Sequence, residues 1–302
     1  MSGAVLLSGG TGLIGGRIVP TLSEASEVRL LSRRASGEDS RPNVRRVQWD
    51  GQRFPADALA GVETVIHLAG EPVFGGLPTR ARLARLRESR IASTEHLIGR
   101  IAELAPEERP RTLVCASAVG FYGDRGDEQL PESATQGEGF LAELCRDWEA
   151  AADGGAELGL RVVKLRFGIV FARAAGALGM MASIFKMGIG GRLGSGQQWF
   201  PWVHIDDAAA AVLAAASNPD WSGTINVVAP NPVTNAELTK ALASQLRRPA
   251  FFAVPGFAVR LALGPLADEL LGSKHVVPER AAKLGFHWKH TQLASALEAE
   301  LG

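Results

Sequence analysis

Seven short stretches are rich in apolar and β-branched residues: 4–8, 28–32, 44–49, 64–69, 112–117, 161–166 and 224–229. Most are apolar along their length instead of alternating with polar residues. Strands that bury both faces read that way, as those of a parallel sheet do. Between them lie longer stretches with helical spacing, near 13–24, 80–105, 139–153 and 206–217. Strand and helix in alternation predict an α/β fold built on a doubly wound parallel sheet. No internal repeat is visible.

The pattern changes beyond Arg166. Residues 173–200 are rich in glycine and methionine. Thr234 and Glu237 have capping-box spacing at the start of a helix, and apolar segments punctuated by proline follow. These stretches predict a smaller α/β lobe made of 173–202 and 230–302. The larger domain then comprises 1–172 and 203–229. The strand at 224–229 returns to the main sheet, and a cleft separates the two parts.

The chain has 302 residues, 46% of them hydrophobic, which fits a folded chain. Lys+Arg and Asp+Glu are both 32. That balance argues against a general nucleic-acid binder and gives no attraction to anionic membrane. The longest uninterrupted apolar run, 208–216, is half of what a membrane span needs. The first residues show no targeting signal. Two cysteines, Cys115 and Cys145, make no disulfide framework, so a reducing, cytoplasmic setting is expected. Both read as small buried hydrophobes.

The strongest chemical signal is Ser8-Gly9-Gly10-Thr11-Gly12-Leu13-Ile14-Gly15, with a strand before it and a helix after it. Gly9 permits a tight turn, Gly12 lets backbone approach a pyrophosphate, and Gly15 lets the helix pack closely. The N–H groups of the helix start then favour phosphate. This context predicts a Rossmann-type dinucleotide site. The second strand ends Leu31-Ser32-Arg33-Arg34, with two guanidiniums and no acid for a ribose 2′-hydroxyl. A 2′-phosphate suits that end, so the cofactor expected is NADP(H). One charge-assisted contact of roughly 1.5–3 kcal/mol would give about 10- to 100-fold preference over NAD. The fourth strand ends His67-Leu68-Ala69-Gly70, small enough to lie along the cofactor. The next helix opens with Arg80, Arg82, Arg85, Arg87 and Arg90, mostly a solvated face, from which one or two reach phosphates.

Gly9-x-x-Gly12-x-x-Gly15, His67-Leu68-Ala69-Gly70 and Ala116-Ser117-Ala118-Val119-Gly120-Phe121-Tyr122-Gly123 resemble the extended short-chain dehydrogenase/reductase family. Gly139-Phe140-Leu141-Ala142-Glu143, Trp148-Glu149-Ala150-Ala151, the run Gly194 to Asp207 and the tail from Pro249 to Phe286 narrow the likeness. They resemble its atypical branch of NADP-binding epimerase family proteins, with a family-specific C-terminal domain. The resemblance implies cofactor contacts at Thr11–Ile14, Ser32, Arg33, Leu68, Ala69, Arg85, Arg90 and Val170. It also places Ser117 at the catalytic Ser/Thr position.

The larger family's proton relay, Tyr-x-x-x-Lys, is missing. The only tyrosine is Tyr122, and Gly126 stands four residues on. No lysine precedes Lys164, and 139–146 holds nothing suited to the task. Tyr122 remains a candidate general acid, against a packing role. Glu138 and Glu143 lie near the missing relay and would serve as proton donors if desolvated, but read better as exposed helical acids. Trp202 and His204 are candidates for substrate contact, and Asp206 or Asp207 for capping the next helix. His287 and His290 show no carboxylate partner, so no metal is assigned.

The sequence therefore predicts an NADP(H)-binding oxidoreductase or epimerase-like protein acting on an unidentified small molecule. The alternative is a catalytically inactive NADPH-binding sensor or regulatory protein. A homodimer is left open.

Overall fold

The computed structural model describes residues 3–33, 37–173 and 176–302. Seven parallel strands form the main sheet: β1 (Ala4–Ser8), β2 (Val28–Ser32), β3 (Val44–Gln48), β4 (Val62–His67), β5 (Thr112–Ala118), β6 (Arg161–Phe167) and β7 (Gly223–Val227). Each lies within two residues of its expected position at either end. Their order is β3-β2-β1-β4-β5-β6-β7, and the short strand Gly37–Glu38 adds an antiparallel edge beside β3. The chain reverses direction across the sheet at β1, where Val5 pairs with Val28 on one side and Thr64 on the other. Such a reversal opens a crevice outside the carboxyl ends of the strands, where ligands bind.

Both faces of the sheet are covered, which explains the unbroken apolar strands. On one face, α1 (Leu13–Ala25) and α6 (Ile205–Ser217) bring Ile18, Val19, Leu22, Ala211 and Val212 against Val5, Leu7 and Leu165. On the other, α3 (Ser93–Ala102) and α4 (Phe140–Glu157) bring Leu97, Ile101, Trp148 and Ala152 against Leu6, Val65 and Leu113. Each fully buried large side chain contributes about 1.5–3 kcal/mol. Cys115 and Cys145 are buried and unpaired, and burial pushes both thiols up to about 12. They are inert at neutral pH.

The helix expected over 80–105 is interrupted. Its first piece is α2 (Arg80–Arg87), then a π-helical turn runs from Glu88 to Ala92 before α3. Hydroxyls take the carbonyls at the junction: Ser93 Oγ donates to Ser89 O at 2.9 Å and Thr94 Oγ1 to Arg90 O at 2.6 Å. Such back-bonding loosens the regular ladder.

The later segments build a second apolar core. Phe171, Phe200 and Trp202 meet Leu178 and Phe185 of α5 (Gly176–Lys186), Leu238 and Leu242 of α7 (Asn235–Leu246) and Leu297 of the C-terminal helix Leu293–Leu301. The Thr234–Glu237 capping box forms as expected. The short strand Ile169–Phe171 pairs with Trp202–His204, and Gly191–Leu193 with Phe252–Val254. Among the described residues, no helix is long and apolar enough to cross a membrane.

Candidate functional site

The glycine loop closes over the carboxyl end of β1. Gly9 has φ 75°, and a Cβ there would lie 2.7 Å from the Leu68 carbonyl carbon. A Cβ on Gly15 would meet Gly9 O at 2.2 Å. These two positions therefore require glycine, one for the turn and one for the approach of α1 to the loop. Gly12 is the N-cap of α1, offers no side-chain bond, and is followed by a first turn without an acid. The helix thus leaves its first N–H groups and its partial positive charge available to an anion. Thr11 and Gly12 are exposed, and Leu13 and Ile14 half-buried.

At the end of β2, Ser32 is buried and Arg33 exposed, and Arg34 lies outside the described residues. The neighbouring strand end is tied down by His67, which is fully buried. Its Nδ1 lies 2.6 Å from Ser8 Oγ and its Nε2 3.3 Å from Ser93 Oγ. Because Ser93 Oγ donates to Ser89 O, it accepts from Nε2–H, which leaves Nδ1 to accept from Ser8. Burial lowers His67 to about 4, so the ring is neutral. One imidazole thereby joins the glycine loop to the π turn.

That turn carries Arg90. Its Nη1 donates to Leu86 O and Ser89 Oγ, both at 3.3 Å, and its Cζ lies 5.3 Å from the Trp148 ring. A Cβ on Gly70 would lie 3.3 Å from the same guanidinium. Burial lowers the pKa of Arg90, and no ion pair to it is found among the described residues. Arg85 is exposed on α2. Arg82 instead holds Pro72 O at 2.6 Å, and Arg87 pairs with Asp147. Val170 sits half-buried beside Val203.

Ser117 and Tyr122 need correction. Ser117 is 3% exposed and its Oγ donates to Glu149 Oε1 at 2.6 Å. Glu149 also accepts from Arg166 Nε at 2.7 Å and Nη2 at 2.8 Å. Arg166 Nη1 donates to the Tyr122 hydroxyl at 2.9 Å, which donates in turn to Asn226 Oδ1 at 2.8 Å. Tyr122 has no exposed surface, and burial raises its pKa. Both hydroxyls thus bond within one buried network. Glu149 is its hub; the sequence reading used it only as part of a likeness. Glu143 is exposed on α4 as expected, whereas Glu138 is exposed but lies before the helix begins.

Trp202 and His204 also need correction. Trp202 is 1% exposed and stacks on Phe171, with ring centroids 5.6 Å apart. It packs as part of the second apolar core instead of lining a surface. His204 is 2% exposed and is itself the N-cap of α6, its Nδ1 accepting from Asp206 N at 3.1 Å. Asp206 and Asp207 fall inside the first turn instead of capping it. Asp207 accepts from the backbone of Lys289 and His290 at 2.7 and 3.0 Å, which holds the tail against α6.

The fold brings His290 to His204 and Asp206, a cluster that the spacing of the histidines did not reveal. It makes a poor donor set for a metal. His204 Nδ1 is occupied, so the proton of the neutral ring sits on Nε2, which lies 3.0 Å from Glu300 Oε1, off the line of a hydrogen bond. The two rings stack at 3.7 Å, so their lone pairs do not converge. Asp206 already pairs with Arg17 at 2.5 Å and Lys289 at 2.8 Å.

A further polar site lies where the sequence offered nothing. After β5, Gly120 faces the first turns of α4 and the segment Asp268–Lys274 across a cavity of about 10 Å³, the room one water needs. A Cβ on Gly120 would lie 3.3 Å from Leu141 Cβ, 3.5 Å from Glu269 Oε2 and 3.8 Å from Cys145 Sγ. Lys274 is 3% exposed, with Nζ 3.6 Å from Glu269 Oε2 and donating to Asp268 O at 2.9 Å. Its origin about 130–150 residues away in sequence hid this group from any local pattern.

A model of the NAD-dependent epimerase/dehydratase family matches residues 5–228, and a domain of unknown function, DUF1731, matches 254–300. The chain is 36% identical over 306 residues to the chloroplastic epimerase family protein SDR39U1 homolog of Arabidopsis thaliana, covering 98% of this chain and 86% of that one. It is 33% identical to the epimerase family protein YfhF of Bacillus subtilis, covering 97% and 96%. The crystal structure of human epimerase family protein SDR39U1 (isoform 2) with NADPH superposes with a TM-score of 0.86 at 30% identity, covering 99% of both chains.

Proposed function

The chain belongs to the NAD-dependent epimerase/dehydratase family, and from that premise we propose that it is an NADP(H)-binding oxidoreductase or epimerase-like protein acting on a small molecule without the usual Tyr-x-x-x-Lys relay. The observation that carries the reading is the acid-free, uncapped start of α1 behind Gly9–Gly15, set beside Arg33 and the half-buried Arg90. The residues fit the group. Thr11 to Ile14 would receive the pyrophosphate on backbone N–H groups. Ser32 and Arg33 would hold the 2′-phosphate, and Leu68 to Gly70 would lie along the ribose. Arg90 brings positive charge to Gly70 with no ion pair of its own among the described residues, and Arg85 and Val170 complete the proposed contacts. The human relative that contains NADPH supports the choice of cofactor. When bound, the nicotinamide supplies or accepts hydride.

The test is a titration of tryptophan fluorescence with NADPH and NADH. NADPH binds at least tenfold more tightly, and Arg33→Ala removes the gap. Equal binding by the wild type overturns the NADP assignment, and no binding of either overturns the reading.

A second reading, a non-catalytic protein whose partner binding responds to NADPH, is favoured by the withdrawal of Ser117 and Tyr122 into the Glu149 network. Identical partner profiles with and without NADPH count against it.

A further inference from the structure

The even charge balance of the whole chain, which gave no expectation of attraction to a membrane, conceals a local excess. Residues 172–205 and 238–267 together hold seven lysines and arginines and no acid. The fold brings these two stretches together around the second apolar core. They also carry eight of the nine large apolar side chains that stand exposed among the described residues. We propose that this face docks on an anionic lipid surface, with its apolar side chains entering the acyl boundary and its cations meeting the headgroups. The docking is independent of the cofactor reading.

Local structure makes the face continuous. α5 packs against α7 through Leu178 and Phe185, which meet Leu238 and Leu242. Met180, Ile184 and Met187 recur at helical spacing and stay exposed. Ile189 follows, two residues before Gly191, whose partner across the short ribbon is Phe252. Phe251 stands just before that strand and is 89% exposed. On the helix Gly256–Leu263, Val259 is buried, while Phe257 and Leu261, one turn apart, are 75% and 87% exposed. Large apolar side chains gathered in this way mark an interaction surface.

The charges say which surface it fits. Lys186, Arg192, Lys240, Arg247 and Arg248 are in no ion pair among the described residues. Arg192 and Lys240 line a groove of about 330 Å³ together with Phe251, Phe252 and Ala243 of α7. The acids brought close by packing are engaged elsewhere. Asp268 pairs with Arg260 at 2.6 Å, Glu237 holds the cap of α7, and Glu300 accepts from the backbone of Arg173. Cations interleaved with phenylalanine, leucine and methionine suit the headgroup layer of a membrane. A second copy of the chain suits the face poorly, since a symmetric pair sets the same patch against itself and cation against cation. A rigid partner needs hollows matched to the protruding Phe251, Phe257 and Leu261, whereas a fluid lipid surface does not.

The test is flotation with vesicles of phosphatidylcholine and phosphatidylglycerol in equal parts, against vesicles of phosphatidylcholine alone. The protein is expected to bind the mixed vesicles at least tenfold more tightly and to leave them as salt rises. Each basic residue near such a surface adds about fivefold, so Arg247→Glu combined with Arg248→Glu should weaken binding about 25-fold or more. Phe251→Ser combined with Phe257→Ser should weaken it at least tenfold. Arg53→Glu, at an exposed arginine outside the face, should leave it within twofold of wild type. All of these side chains are exposed, so thermal melts should match wild type and show that the variants fold. Absence of binding to the mixed vesicles, equal binding to both kinds of vesicle, or a loss in Arg53→Glu as large as in the face variants overturns the proposal. So does a dimer in solution that Phe251→Ser with Phe257→Ser dissociates, which would give the face to a second copy.

Discussion

Gly15 concentrates the logic of the cofactor loop in one missing methyl group. A Cβ there would stand 2.2 Å from Gly9 O, a backbone atom that moves only if the whole turn moves. Gly15→Ala is therefore expected to cost about 1–3 kcal/mol, the range for forced overpacking. It should also weaken NADPH at least tenfold, because displacing Gly9 displaces Leu68 and Ala69 with it. Thermal melts and a fluorescence titration check both, and unchanged values of the two would remove the close-approach argument. This part of the site was legible in the sequence because its chemistry is local. Four glycines, one turn and one helix start lie within eight residues. The orientation of Ser117 was not legible. Its partner Glu149 lies 32 residues away, and the sequence does not say which face of β5 a polar residue takes when both faces are covered.

At the level of elements, that same network joins β5, α4 and β6 through Ser117, Glu149 and Arg166. Arg166 also lies 3.4 Å over the Phe121 ring, so its charge is neutralised by one carboxylate and further stabilised by one aromatic face. Glu149→Ala leaves a guanidinium 4% exposed with no anion and should cost about 3–5 kcal/mol. Ser117→Ala keeps both Arg166 bonds and should cost about 1 kcal/mol. Urea denaturation of the two variants checks the order, and a Ser117→Ala loss equal to that of Glu149→Ala would mean that the hydroxyl matters beyond packing. The strand runs themselves were readable within two residues because burial on both faces writes itself into every position. The single helix expected over 80–105 was not, since serine and threonine back-bonds at Ser93 and Thr94 decide where its ladder opens. The N-cap of α6 was misplaced for a similar reason. Two aspartates follow His204, but the helix begins one residue before them, at Ile205, so the imidazole takes the capping bond.

Across the whole molecule, buried histidines should set the response to acid. His67 is lowered to about 4 by burial, against an ordinary 6.5, so the unfolded chain takes up this proton first as the pH falls. Its stabilising contribution is complete above pH 6.5 and is lost between 6.5 and about 4. A shift of this size corresponds to about 3 kcal/mol. His204 is shifted in the same direction, by burial and by the neighbouring His290, and steepens the fall below pH 6.5. Asp206 acts lower down. Burial pushes its carboxyl up, but hydrogen bonds from Lys289 and Arg17 outweigh this and hold it at about 2. Its contribution is present above 3.8 and lost towards pH 2, and it is small because Arg17 and Lys289 are exposed to screening at 57% and 67%. Urea unfolding should therefore give a stability that is level from pH 8 to 7 and falls by about 3 kcal/mol on the way to pH 4. A flat profile over 6.5 to 4, or an imidazole resonance of His67 that titrates near 6.5, would overturn this account. The same proton has a local consequence, because a charged His67 can no longer accept from Ser8. In the folded protein that link breaks only as the pH nears about 4, so NADPH affinity should hold while stability declines from pH 6.5 and fall close to pH 4.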